Sequence, residues 1–351
     1  MSKKNLPEWW QELDEDYDPQ PTRLPPPVHR RGPKELLEEQ AEKQAMLAQE
    51  HGLESFEFTY HAPRHERVWL MQSLGSFYYE FRWIDDVLRM VKAGKEANVY
   101  LCVSGPGMTA EYLATKVYRP RMLRNLKNDH LYREGREDLD SDGNVIFDSR
   151  KLHAMRKKTS YGKELLHTSW LEHEYNTLKL LHTAGADVPQ PFACDNNALL
   201  MGYIGDELAS APTLSSVHLA RDEAQFLYKR ILRNIRTMLS CDRVHGDLSA
   251  YNVLYWEGKI TLIDFPQAIV PTQNRSAYQI FQRDLVRISE YFARQGVKVQ
   301  PRRQAAELWT SFGHPLVPDV HPALLDDEDE QAMAYWKSLQ SSAEPNQGRR
   351  P

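Results

Sequence analysis

The sequence predicts an α+β molecule of two lobes: an antiparallel sheet with one helix, then a mainly helical half, with a cleft between them. Three observations predict this. The β-like runs VKAGKEANVYLCVSG and EYLATKVYR come early in the core, separated by the turn-forming Ser104-Gly105-Pro106-Gly107. Amphipathic helical runs dominate the later part of the core. Between two of those helices lies His245-Gly246-Asp247-Leu248-Ser249-Ala250-Tyr251-Asn252, followed at Leu262-Ile263-Asp264-Phe265 by a second acid.

Length and charge set bounds. A chain of 351 residues has room for two globular units and a tail or two. Lys plus Arg total 44 against 49 Asp plus Glu, and the net charge of −5 does not by itself indicate a nucleic-acid or membrane partner. Cys102, Cys194 and Cys241 share no metal-ligand spacing and read as free thiols in a reducing compartment. MSKKNLPEWWQELDED lacks an apolar export core, and no stretch approaches the roughly 20 apolar residues of a membrane span. The expectation is a soluble, cytoplasmic protein with no membrane partner.

Residues 1–66 read as a flexible extension, acidic and then Pro-rich, with one helix at KELLEEQAEKQAMLAQEHG. Residues 67–83 form a helical lead-in, and the helical pattern of RVWLMQSLGSFYYEFRWIDDVLRM continues to Met90. The first lobe is expected over 84–201, with a long basic insert at 119–168. SWLEHEYNTLKLLHTAG reads as a helix capped by a Ser169–Glu172 box, with Glu172 facing water and Gly185 as its stop. ALLMGYIGDE reads as a strand ending in a turn. The second lobe is expected over 202–325, with inward faces at Leu227, Ile231, Ile235 and Met238, and at Phe281, Leu285, Ile288 and Phe292. Residues 326–351 read as a disordered tail. The pattern His61-Ala-Pro-Arg-His65 would present two metal ligands only on a helix, and Pro63 between them argues against one.

The acidic loop points to chemistry. Asp247 and Asn252 stand five residues apart, and VLYW, Glu257-Gly258 and KITLI form a hairpin that delivers Asp264. Phosphoryl transfer needs one carboxylate to take or orient the nucleophile's proton. It also needs an amide oxygen and a second carboxylate to hold Mg²⁺ on the triphosphate. The set therefore indicates ATP and Mg²⁺, with Mn²⁺ as an alternative metal. Lys116 lies in the alternating run Ala114-Thr115-Lys116-Val117-Tyr118, where a buried lysine is costly unless it meets an anion. An A-x-K strand of this kind carries the phosphate-binding lysine of kinases, which a helical glutamate holds. Glu174, at the border of the inward face set by Leu171 and Leu178, is the candidate glutamate. In Gly94-Lys95-Glu96-Ala97-Asn98-Val99-Tyr100 the amides after Gly94 are placed to approach phosphates, and the missing G-K-[ST] excludes a Walker-type site.

GKEANVY, ATKVY, MGYIGDE, HGDLSAYN and LIDFPQ, in this order over about residues 84 to 295, resemble a RIO-type atypical serine/threonine protein kinase. HGDLSAYN is nearer one branch of that family and IDFPQ nearer the branch with an N-terminal winged helix, and the chain looks most like a bacterial-type member. The resemblance implies a trimmed kinase fold without the usual activation loop or peptide-docking helices. It implies Asp247 as the catalytic acid/base residue, and Asn252 and Asp264 as metal ligands, Asp264 being also a site of transient phosphorylation. It places adenine against the backbone of Gly202 and Ile204, and phosphates near Gly94, Lys95, Lys116 and Glu174. Pro266 stands where a DFG motif has glycine. The segment before Arg67 shows no clear winged-helix pattern.

The leading reading is an ATP-dependent serine/threonine protein kinase with autophosphorylation and an unidentified protein substrate, and the second is an ATPase switch on a ribonucleoprotein. GKEANVY and FPQ argue against a small-molecule phosphotransferase, and the presence of Lys116, Asp247, Asn252 and Asp264 argues against a binding-only pseudokinase. The basic residues of the insert, Arg119, Arg121, Arg124, Lys127, Arg133, Arg136, Arg156, Lys157, Lys158 and Lys163, offer a surface for ribosomal RNA or a ribosomal particle. A solvated loop is the alternative for that stretch.

Overall fold

The computed structural model describes residues 58–316, apart from Lys95, 120–131, 133–134 and Asn196. The extension and helix expected before Phe58, the tail expected over 326–351, Lys95, and Arg121, Arg124, Lys127 and Arg133 lie outside the described residues. The described part belongs to the second of two units, Glu54–Pro351.

Strands β1 (Ile84–Ala93), β2 (Ala97–Ser104), β3 (Tyr112–Tyr118), β4 (Pro191–Asp195) and β5 (Ala198–Gly202) form an antiparallel sheet in the order β1-β2-β3-β5-β4. β1 corrects the sequence reading, which carried the helix through to Met90. Its pairing with β2 shifts register at Ile84/Asp86, Val87/Arg89 and Met90/Lys92. These irregularities space the core-facing residues Ile84, Val87 and Met90 three apart, and that spacing imitates a helix. VKAGKEANVYLCVSG is accordingly the end of β1 and the whole of β2. The chain turns between them at Gly94, where a Cβ would meet the Ala97 carbonyl oxygen at 2.6 Å.

Helix α1 (Arg64–Gly75), with a following π-helical turn at Ser76–Glu80, covers this sheet. Leu70, Leu74 and Phe77 are fully buried with Ile84, Val87, Tyr100 and Leu113. Each such side chain contributes about 1.5–3 kcal/mol on burial. Pro63 occupies the cap position of α1, so His61 precedes the helix and is exposed. Among the described residues no group of three or more His, Cys, Asp or Glu is placed to hold a metal ion.

The insert carries ordered structure where it is described. Leu139 bridges Val145, and α2 (Ser149–Lys157) starts with the Asp148 side chain accepting from the Arg150 N–H at 2.8 Å. Helix α3 (Ser160–Thr183) then begins well before Ser169, capped by Thr159, whose Oγ1 accepts from the Gly162 N–H at 3.0 Å. The expected Ser169–Glu172 cap is therefore helix interior. Ser169 Oγ accepts instead from the Leu139 N–H at 2.9 Å, and Glu172 is buried rather than facing water. The first turns of α3 touch α2 through Leu165 and Leu166 and expose Tyr161, Lys163 and Glu164, an apolar face too short to mark a helix in the sequence. Gly162 permits the tight α2–α3 crossing, since a Cβ there would fall 1.9 Å from the Ala154 carbonyl oxygen. Gly185, at φ 76°, comes just after the end of α3, as expected.

The second lobe contains α4 (Arg221–Ser240), the hairpin β6 (Val253–Trp256) and β7 (Lys259–Leu262), α5 (Ala277–Arg294) and α6 (Pro301–Ser311). Glu257 and Gly258 both have positive φ, 48° and 76°, as a two-residue hairpin turn requires. The inward faces expected for α4 and α5 are the ones buried. No helix among the described residues is long and apolar enough to cross a membrane.

Candidate active site

β3 places Lys116 in the floor of a cleft of about 550 Å³, which Glu174, Asp247 and Asp264 also line. Lys116 Nζ lies 2.6 Å from Glu174 Oε1 and 2.6 Å from Asp264 Oδ1. Burial alone would push the ammonium's pKa down, but the two carboxylates outweigh it and hold the pKa up. Glu174 is buried, and that burial raises its pKa against the pull of Lys116. Its other oxygen accepts from the Tyr118 hydroxyl, and Oε1 also accepts from the Phe265 N–H at 3.3 Å. Asp264 is different. Its side chain is 43% exposed to the cleft, and Lys116 overcomes the effect of burial to hold its carboxyl below the usual range. Its φ of 75° is a left-handed conformation that costs on the order of 1–3 kcal/mol in a non-glycine residue.

The catalytic-loop candidates are cross-braced. Asn252 Nδ2 donates to the Asp247 carbonyl at 2.9 Å and to Asp247 Oδ2 at 3.0 Å. With its N–H groups directed at Asp247, Asn252 has its side-chain oxygen to offer a cation, and Asp264 adds an exposed carboxylate. Two hard oxygen donors of this kind suit Mg²⁺. His245 is buried against Phe265, ring centroids 4.6 Å apart, and burial lowers its pKa. It accepts from the Asp247 N–H at Nδ1 (3.3 Å), and Nε2 lies 3.2 Å from the Ile263 carbonyl, which together define a neutral tautomer protonated at Nε2. His245 thus ties the Asp247 loop to the strand end that presents Asp264. Gly246 has φ 84°, and a Cβ there would meet the Gln267 carbonyl oxygen at 2.1 Å.

Gly94, Gly202 and Ile204 line the same cleft. The Gly202 N–H donates to the Gln190 carbonyl at 2.8 Å, and the Ile204 carbonyl accepts from the Ala211 N–H at 2.9 Å. Two backbone groups of the expected adenine-binding stretch are therefore engaged within the protein. The expected Lys95 contribution lies outside the described residues.

Sequence reasoning missed several residues of this site. Arg287, on α5, pairs with Asp247 Oδ1 at 3.0 Å. Asp284, also on α5, is buried, and burial raises its pKa to about 7 against the effect of Arg283. It accepts from the Gly246 N–H at 2.8 Å, and Arg283 donates to the Gly246 carbonyl. A signal for Asp284 was present: an acid on the inward face of α5, beside Phe281, Leu285 and Ile288, must find a partner. Nothing comparable marked Tyr118, whose tyrosine fits a strand without further explanation.

A family model described as the RIO domain matches residues 98–305, a span holding Lys116, Glu174, Asp247, Asn252 and Asp264. The serine/threonine-protein kinase RIO1 of Chaetomium thermophilum is 32% identical over 226 residues, 61% of this chain and 40% of that protein. The RIO-type serine/threonine-protein kinase Rio1 of Thermoplasma acidophilum is 34% identical over 132 residues, 38% of this chain and 68% of that one. The chain therefore spans about 40% of the length of the Chaetomium relative. A crystal structure of the Rio2 kinase–ADP/Mg²⁺–phosphoaspartate complex from Chaetomium thermophilum overlaps 77% of this chain and 75% of its own, at 18% identity and a TM-score of 0.47. The family match takes in most of the sheet, the α3 glutamate and both acidic loops, more than half of the sequence, and this chain belongs to the RIO domain family.

Proposed function

We propose that the chain is an ATP-dependent serine/threonine protein kinase that transfers the γ-phosphoryl group to hydroxyl side chains, its own included. The observation that carries this reading is the convergence of Lys116, Glu174, Asp247 and Asp264 on one cleft, with Asn252 bonded to Asp247. Lys116, oriented by Glu174, meets the nucleotide phosphates. Asn252 and Asp264 would hold Mg²⁺, which when bound would supply charge neutralisation at the phosphates. Asp247 orients the hydroxyl and takes its proton. Arg287 and Asn252 occupy two of about four acceptor sites on its carboxylate, leaving capacity for that bond.

The exposure of Asp264 favours a second reading, in which the carboxylate itself is phosphorylated and the chain works as an ATPase switch. Hydroxylamine separates the two, because it cleaves an acyl phosphate and spares phosphoserine. We expect most label from γ-labelled ATP to resist hydroxylamine. A dominant sensitive fraction, lost in Asp264→Ala and accompanied by free phosphate, would establish the switch instead.

For partners, α2 and the start of α3 favour an RNA such as that of a ribosomal particle. Arg150, Arg156, Lys157, Lys158 and Lys163 are exposed there, with Phe147 85% and Tyr161 51% exposed beside them. Binding to single-stranded RNA should weaken steeply with salt, and neutralising Arg156, Lys157 and Lys158 together should flatten that slope by about 2–3 units. Binding insensitive to salt would remove RNA from the account. Three unpaired cysteines suit a cytoplasmic setting.

A further inference from the structure

We infer that Arg136 is a positioning residue for phosphoryl transfer, and that segment 136–139 of the insert clasps the Glu174 helix to the loop after Asp264. The inference rests on the kinase reading and concerns what holds that site in register. Arg136 Nη2 donates to the Pro266 carbonyl at 3.1 Å and to the Ala268 carbonyl at 2.7 Å. The next residues turn to α3: the Glu137 carbonyl lies 2.5 Å from His173 Nε2, and the Leu139 N–H donates to Ser169 Oγ at 2.9 Å. His173 adjoins Glu174, so within four consecutive residues Arg136, Glu137 and Leu139 between them bond both elements that present carboxylates to Lys116. Gly135 seats the clasp. Its φ is 73°, and a Cβ there would fall 2.2 Å from the Gln273 carbonyl oxygen, so the segment lies directly against second-lobe backbone.

The physical need is clear from the triad. Glu174 and Asp264 each place an oxygen 2.6 Å from one ammonium. Their mutual repulsion favours separation once Lys116 turns toward phosphates. The Arg136 bonds hold the 266–268 backbone, and with it Asp264, while the same segment holds α3. A second arm acts on the other loop: the Tyr132 hydroxyl accepts from Arg283 at 2.9 Å, and Arg283 donates to the Gly246 carbonyl. The insert, an addition read from sequence as a basic loop, thereby reaches both loops of the active site.

The test compares wild type, Arg136→Ala and Arg136→Lys in the full chain. Steady-state ATP turnover is followed across Mg²⁺ concentrations, and melting temperature is measured with ADP alone and with ADP plus Mg²⁺. For Arg136→Ala we expect kcat to fall about 10- to 100-fold with KM for ATP within a few-fold. Half-maximal activity should need more Mg²⁺, and the extra thermal stabilisation that Mg²⁺ adds to ADP should shrink. Arg136→Lys should recover most of these, since one nitrogen makes both bonds. Unchanged kcat and Mg²⁺ response in Arg136→Ala would overturn the inference. So would a loss that tracks melting temperature alone and is not recovered by lysine. A wild type that neither turns over ATP nor is stabilised by ADP with Mg²⁺ would overturn the kinase reading, and this role with it.

Discussion

Asp247→Asn should lower kcat by about 10²–10⁴-fold while ATP affinity stays within a few-fold of wild type. The substitution keeps shape and removes the base. Asp247 receives N–H groups from Arg287 and Asn252 at its two carboxylate oxygens. An asparagine offers one oxygen and one N–H₂, so it must turn a donor toward one of those donors and give up that contact. The side chain is 41% exposed, so the lost contact is solvated and the fold should hold. Single-turnover phosphorylation with saturating ATP separates chemistry from binding. Activity within a few-fold of wild type would remove Asp247 from the mechanism.

Lys116→Ala should show two effects at once. Turnover should fall at least as far as in Asp247→Asn, because the phosphates lose their only buried cation among the described residues lining the cleft. Stability should also fall, by about 3–5 kcal/mol, since removing one partner of a buried ion pair leaves the other uncompensated. Taken as a ligand contact alone, as a strand position in the sequence suggests, the lysine would be dispensable for folding. Its burial between Glu174 and Asp264 makes it a structural counter-charge as well. The pH dependence comes from the raised pKa of Glu174. A carboxyl whose folded pKa lies above its unfolded value favours the folded state while protonated, and that contribution is lost as pH rises through the folded pKa. With Lys116 gone, only the Tyr118 and Phe265 hydrogen bonds still favour the ionised carboxylate, so the variant should melt closest to wild type in acid and diverge toward neutral pH. Adding Glu174→Gln should restore melting temperature without restoring turnover. Recovery of both, or a melting temperature like wild type in the single variant, would contradict the role of the triad.

What could be read in advance depended on whether a residue's purpose was local. The 257–258 turn, the buried faces of α4 and α5 and the stop at Gly185 were legible because nearby residue types dictate each. β1 was not, since three register shifts gave its core residues a helix-like spacing. The start of α3 was missed because Ser169 and Glu172 imitate a cap while bonding elsewhere, Ser169 to Leu139. In the site, Lys116, Glu174, Asp247, Asn252 and Asp264 stood out by type and spacing; the structure brings four of them to one cleft and bonds Asn252 to Asp247. Arg287 and Arg136 did not, because each acts on a residue far away in sequence. An arginine on an amphipathic helix or in a basic stretch looks the same whether it meets water or a catalytic loop.

Position-specific label reads the fate of the γ-phosphoryl group directly. The purified chain is incubated with Mg²⁺ and ATP labelled at either the γ- or the α-phosphate, alongside Asp264→Ala. We expect protein-bound label from γ-labelled ATP only, most of it resistant to hydroxylamine, dependent on Mg²⁺ and absent in Asp264→Ala. Label from the α-phosphate, or γ-label that persists without Asp264, would contradict that expectation.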